Sequence, residues 1–96
     1  MSEVEHQPSQ RRFVVKTDEG VAFLSYEPNA ATALDMQHTV VPAAARGRGI
    51  GESLVVAALD HARQAGLKVV PSCPFVRDWI AEHPESKDLL AAEPAT

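Results

Sequence analysis

Val40-Val41-Pro42-Ala43-Ala44-Ala45-Arg46-Gly47-Arg48-Gly49-Ile50-Gly51 is the stretch on which the arrangement of the chain turns. An apolar strand ending at Val41 runs into a basic, glycine-studded turn, and the turn opens into a helix rich in alanine and leucine that starts near Glu52. A helix N-terminus leaves backbone N–H groups without intrahelical partners and carries the positive end of the macrodipole, while glycines let an anion approach the backbone closely. Arg46 and Arg48 add positive charge at the same spot. The junction is therefore a candidate site for a phosphorylated cofactor.

Downstream, Ile50, Leu54, Ala58 and Ala62 recur at helical spacing, with Glu52, Asp60, Arg63 and Gln64 free to face water. The many alanines imply close packing on a sheet. Gly66 suits the left-handed position that ends a helix, and Leu67-Lys68-Val69-Val70 reads as the next strand. Strand, helix and strand imply a parallel pair. Pro71 and Pro74 bracket Ser72-Cys73 and should end regular pairing there, and Phe75, Val76, Trp79 and Ile80 mark the apolar face of a second helix closed by Pro84. Glu85 to Ala92 reads as a last short helix or turn.

Upstream, Phe13-Val14-Val15 and Val21 to Tyr26 read as strands joined by the turn chemistry of Thr17-Asp18-Glu19-Gly20. From Thr32 to Val41 alternation places Leu34, Met36, His38 and Val40 on one face. The expected fold class is α/β (α+β): an antiparallel three-stranded meander continued by a βαβ parallel pair, with a C-terminal helix. Residues 12–92 form the expected single domain, between flexible tails at 1–11 and 93–96.

Hydrophobic residues make up 45% and charged ones 23%, the balance of a soluble globular domain. With no signal-peptide pattern at the start and no apolar run of membrane-spanning length, the expectation is a cytoplasmic protein without membrane contact. The single cysteine, Cys73, excludes an internal disulfide, and four scattered histidines show no metal-ligand spacing, so no metal is expected. Nine basic against thirteen acidic side chains give a net charge of −4, which offers general nucleic-acid binding no support.

Among phosphate motifs, a Walker A loop would need a Gly-Lys-Ser/Thr ending, and a Rossmann fingerprint would follow the first strand of a parallel sheet; neither fits. The turn does resemble the acetyl-coenzyme A signature of the GCN5-related N-acetyltransferases, Gln/Arg-x-x-Gly-x-Gly/Ala, whose fixed positions Arg46, Gly49 and Gly51 fill. With His38-Thr39-Val40-Val41-Pro42, Ala57 to Asp60, Gly66 to Pro71, Cys73 and His83-Pro84-Glu85, the chain is similar to the very short acetyltransferase-like subfamily of about a hundred residues. Two departures stand out: subfamily members often carry an acidic residue where Val40 stands and an aromatic one where Ser86 stands.

The resemblance implies acetyl-CoA as cofactor and an amine of unknown identity, small molecule or protein lysine, as acceptor. It implies that Thr39, Val40 and Val41 pair with the pantetheine amides, and that amides from Gly47 through Arg48, Gly49, Ile50, Gly51 and Glu52 to Ser53 hold the pyrophosphate beside Arg46. Phe75 would wall the channel, with Cys73 near the thioester. Spacing alone puts the glycine turn and Cys73 at one sheet edge, since both follow C-terminal ends of adjacent parallel strands. Cys73 has two readings: a small buried thiol, or a chemical group that accepts the acetyl transiently or protonates the departing thiolate. His38 likewise is a hydrogen-bonded core histidine or a general base near the acceptor amine. The function expected is acetyl transfer to an amine; the alternative is a CoA-binding or interaction module with little or no catalysis, since so short a chain has little material for an acceptor pocket.

Overall fold

The computed structural model describes residues 4–91. Five strands, β1 (Glu5–Gln7), β2 (Arg12–Thr17), β3 (Gly20–Asn29), β4 (Ala33–Val40) and β5 (Lys68–Pro71), form one sheet in sequence order. β1 to β4 are antiparallel neighbours. β5 runs parallel to β4 after the crossover helix α1 (Ile50–Ala65), and α2 (Pro74–Glu82) and a 3₁₀ segment (Pro84–Leu89) follow. This is the α+β fold that the sequence predicts, with the crossover and the C-terminal helix in their expected places.

α1 begins and ends on glycine. Gly49 precedes it at φ 75° and Gly66 follows it at φ 71°, both in the left-handed region where a side chain is strained. The Gly66 N–H closes the last turn on the carbonyls of Ala62 and Arg63. Leu54, Val55, Ala58, Leu59 and Ala62 are buried, so the expected stripe is the face laid on the sheet. They join Phe13, Val15, Leu24 and Met36 in one core cluster with Val76 and Ile80 of α2, which places both helices on the same side of the sheet. Val14 and Ala33 are buried yet outside that cluster, as expected for side chains on the sheet's other face.

The expected face of β4 does not hold along its whole length. Cross-strand partners point to the same side of a sheet, and the pairing runs Tyr26↔Met36 and then Ser25↔His38, leaving Gln37 unpaired as a β-bulge. Leu34 and Met36 therefore face the helices, as read from the sequence, whereas His38 and Val40 face the opposite side with Ser25 and Phe23. Thr39, the partner of the fully buried Leu24, takes the helix side instead. The reading of His38 as a core histidine is corrected by its exposure. An extra residue reverses every later side chain, and strict alternation cannot reveal it.

A further difference lies within the expected tail at 1–11, of which residues 1–3 fall outside the described residues. Glu5–Gln7 adds β1 to the edge of β2, and Pro8–Gln10 forms a 3₁₀ turn that ends on Arg11 at φ 55°. An edge strand is held largely by backbone pairing and needs little apolar content. Here His6 supplies the rest. Its ring stacks on Phe13 at 4.2 Å, meets the His61 ring of α1 edge-on at 4.4 Å, and hydrogen-bonds the Tyr26 hydroxyl. The expected tail at 93–96 lies outside the described residues.

Burial first, and the neighbouring His61 second, lower the pKa of His6 below its ordinary 6.5. The unfolded chain then binds more protons than the folded one wherever pH lies between the lowered value and 6.5, so stability is full above this window and is lost as pH falls through it. Between about pH 7.5 and about pH 5.5 the thermal midpoint should fall, and His6→Gln should flatten that slope. An unchanged slope would show that His6 does not contribute.

Candidate active site

After Val40 the chain turns at Pro42 into a short 3₁₀ segment, Ala43–Ala45, anchored by the fully buried Ala45. Arg46, Gly47 at φ 84°, Arg48 and Gly49 lead into α1. Because glycine caps the helix, no side chain accepts from its first N–H groups. Ser53, on the following turn, closes on the Gly49 carbonyl with both its N–H and its hydroxyl, each at 3.0 Å. The amides of Ile50, Gly51 and Glu52 come too early in the helix for an intrahelical partner and remain at its positive end.

A cavity of about 540 Å³ lies against these amides. Thr39, Val40 and Val41 form one wall, Arg46, Gly47 and Gly49 the turn, Ile50, Gly51 and Glu52 the start of α1, and Phe75 of α2 the far side. This volume lies in the range of pockets that take cofactor-sized ligands. Cβ atoms added at Gly47 or Gly49 would meet nothing within 4 Å, so the backbone there is open to a close approach. Gly51 differs: a Cβ there would stand 3.0 Å from Phe75 Cζ, so the ring packs directly over the first helical turn. The glycine turn thus has the shape and the free donors that a diphosphate requires.

Ten of the expected cofactor residues line the cavity together. Arg48 and Ser53 instead line a groove on the other side of the first turn of α1, with Lys16 and Asp18. Ala45 is a lining residue that sequence reasoning missed, since a small apolar residue inside an alanine run carries no signal. Cys73 is 5% exposed and sits one layer behind the wall, its Sγ 3.5 Å from Thr39 Oγ1. Its N–H donates to the Met36 carbonyl at 2.9 Å, which fixes the start of α2 to β4 next to the bulge. Thr39 and Cys73 thus come together, 34 positions apart in sequence, while His38 lies on the opposite side of the sheet. Among the described residues no group of three or more His, Cys, Asp or Glu side chains could hold a metal ion.

Comparison with known proteins bears on the family and the fold. Residues 12–89 match the GCN5-related N-acetyl-transferase family. The chain is 36% identical over 94 residues to Protein NATD1 of Gallus gallus, covering 96% of this chain and 86% of the relative. It is 37% identical over 93 residues to Protein NATD1 of Homo sapiens, covering 95% and 82%. Its fold is similar to that of a GCN5-like Staphylococcus aureus protein solved by NMR, with a TM-score of 0.75, 24% identity and coverage of 96% of this chain and 90% of that one. The meander, the bulged fourth strand, the glycine-capped helix and these matches place the chain in the GCN5-related N-acetyltransferase family, as one of its short members.

Proposed function

We propose that the chain is a cytoplasmic N-acetyltransferase that binds acetyl-CoA between β4 and the first turn of α1 and passes the acetyl group to an amine. The observation that carries this reading is the uncapped start of α1 facing a cavity of cofactor size. Amides of Gly47 to Glu52 would hold the diphosphate, Thr39 to Val41 the amide-bearing arm, and Phe75 the apolar side of the cleft. When bound, acetyl-CoA supplies an acyl group activated as a thioester. Val41 is the first residue of the wall beyond the β3–β4 ladder, and with Val40 it is the backbone donor assigned to polarise the carbonyl.

Two side chains divide the remaining work. Cys73 Sγ lies behind Thr39 at the inner end and is assigned to proton delivery there. His38, on the helix-free face, is assigned to the acceptor side, where an imidazole suits removal of a proton from an ammonium group. Holding both reactants at the end of β4 removes the entropic cost of their meeting, which supplies much of the acceleration expected here.

Calorimetric titration with acetyl-CoA tests the shared premise, and no binding at about millimolar ligand would sink it. Release of free CoA in the presence of small amines, polyamines or lysine peptides tests transfer; binding with no release for any acceptor favours a CoA-binding module instead. Cys73→Ala and Cys73→Ser should lower turnover by about 100-fold or more while leaving affinity within about twofold. Unchanged turnover would remove the thiol from the mechanism.

A further inference from the structure

Both arginines of the basic turn are engaged within the chain. Arg46 Nε donates to the Val41 carbonyl at 3.2 Å and stays on the cavity wall. Arg48 Nη1 donates to Glu19 Oε1 at 3.0 Å, and its Nη2 reaches the Ala44 carbonyl at 3.5 Å. Glu19 stands in the tight loop between β2 and β3, and that loop is itself fixed: Thr17 Oγ1 donates to the Gly20 carbonyl at 2.7 Å and accepts the Glu19 N–H at 3.1 Å. Of the two side chains Glu19 is the more buried, 29% exposed against 55% for Arg48. The carboxylate is the fixed partner and the guanidinium the movable one.

This pairing turns the Arg48 side chain toward the second groove, although its neighbours Gly47 and Gly49 both line the cofactor cavity. An arginine side chain at that position is long enough to swing to an anion held by the turn amides, and it would have to leave Glu19 to do so. We infer that Glu19 is a positioning residue that competes with a bound diphosphate for Arg48, so that the β2–β3 loop sets how much positive charge the phosphate turn offers. The inference rests on the CoA-binding reading. An exposed ion pair is weak and salt-sensitive, so the control is a matter of a few-fold in affinity, strongest at low ionic strength.

The test is calorimetric titration of the full chain with coenzyme A, as wild type, Glu19→Gln, Arg48→Met and the double variant, at low and high salt, with thermal midpoints recorded for all four. Glu19→Gln should tighten binding by about three- to fivefold at low salt and make it fall more steeply as salt is added. Arg48→Met should weaken binding far more in the Glu19→Gln background than in the wild type, cancelling the whole gain there. A merely structural Glu19 would instead weaken binding when replaced, with or without Arg48, and that result would overturn the inference. An Arg48→Met effect of equal size in both backgrounds would do the same while leaving the cofactor reading intact. No binding of coenzyme A to the wild type would overturn both.

Discussion

Replacing Gly49 with valine is expected to raise the dissociation constant for coenzyme A by about 100-fold or more. Gly49 sits at φ 75°, where a β-branched residue is strongly disfavoured, and it is the residue on which the first turn of α1 closes through Ser53. A valine there pulls the backbone toward negative φ and re-aims the open amides that follow. Its side chain also stands in space that nothing in the protein fills, on the cavity lining where the diphosphate is proposed to lie. Gly66 provides the control. It ends the same helix at φ 71°, with equally open surroundings, but it does not line the cavity. Gly66→Val should cost comparable stability and leave affinity within about twofold. Equal affinities for both variants and the wild type would contradict an anion site at the start of α1.

Leu54→Ala should lower the unfolding free energy by about 2–5 kcal/mol. Leu54 is fully buried on the face of α1 that meets the sheet, beside Val55 and Ala58. Truncation removes apolar contact and leaves a void that the surrounding sheet can only partly close. In a domain of this size the thermal midpoint should drop by about 10 °C or more. Val56, one position past Val55 and 41% exposed, belongs to the opposite face, and Val56→Ala should stay within about 0.5 kcal/mol of the wild type. Similar losses at the two sites would mean that α1 does not pack as described. Because a domain like this is stabilised by only about 5–15 kcal/mol, the Leu54 loss is a large share of the whole.

The elements that the sequence announced are those in which one residue type forces one backbone state. Gly49 and Gly66 mark the ends of α1 because only glycine adopts positive φ without strain, and the apolar stripe between them fixes which face is buried. The meeting of Cys73 with the end of β4 was legible for a topological reason: the ends of adjacent parallel strands share an edge. What stayed hidden depends on geometry without a composition of its own. β1 is polar and pairs through its backbone, so nothing in Glu5–Gln7 distinguishes it from a tail. The ion pair of Glu19 with Arg48 spans 29 positions and arises only once the β2–β3 loop is laid beside the glycine turn. Gln37, a single uncharged residue in an alternating run, gives no warning that it is unpaired.

That unpaired residue makes β4 a two-sided element whose assignments depend on parity. With Gln37 in place, Thr39 reaches Cys73 on the helix side and His38 faces the other side of the sheet. Were Gln37 to enter the ladder opposite Ser25, every later residue would slip by one: His38 would fall opposite Leu24 on the helix side and Thr39 opposite Phe23 on the other. Leu34 and Met36 would keep their places in the core, while the histidine and the threonine exchanged rooms. The bulge therefore lets one short strand serve as a core wall over its first half and decides, over its second, which side chain meets Cys73.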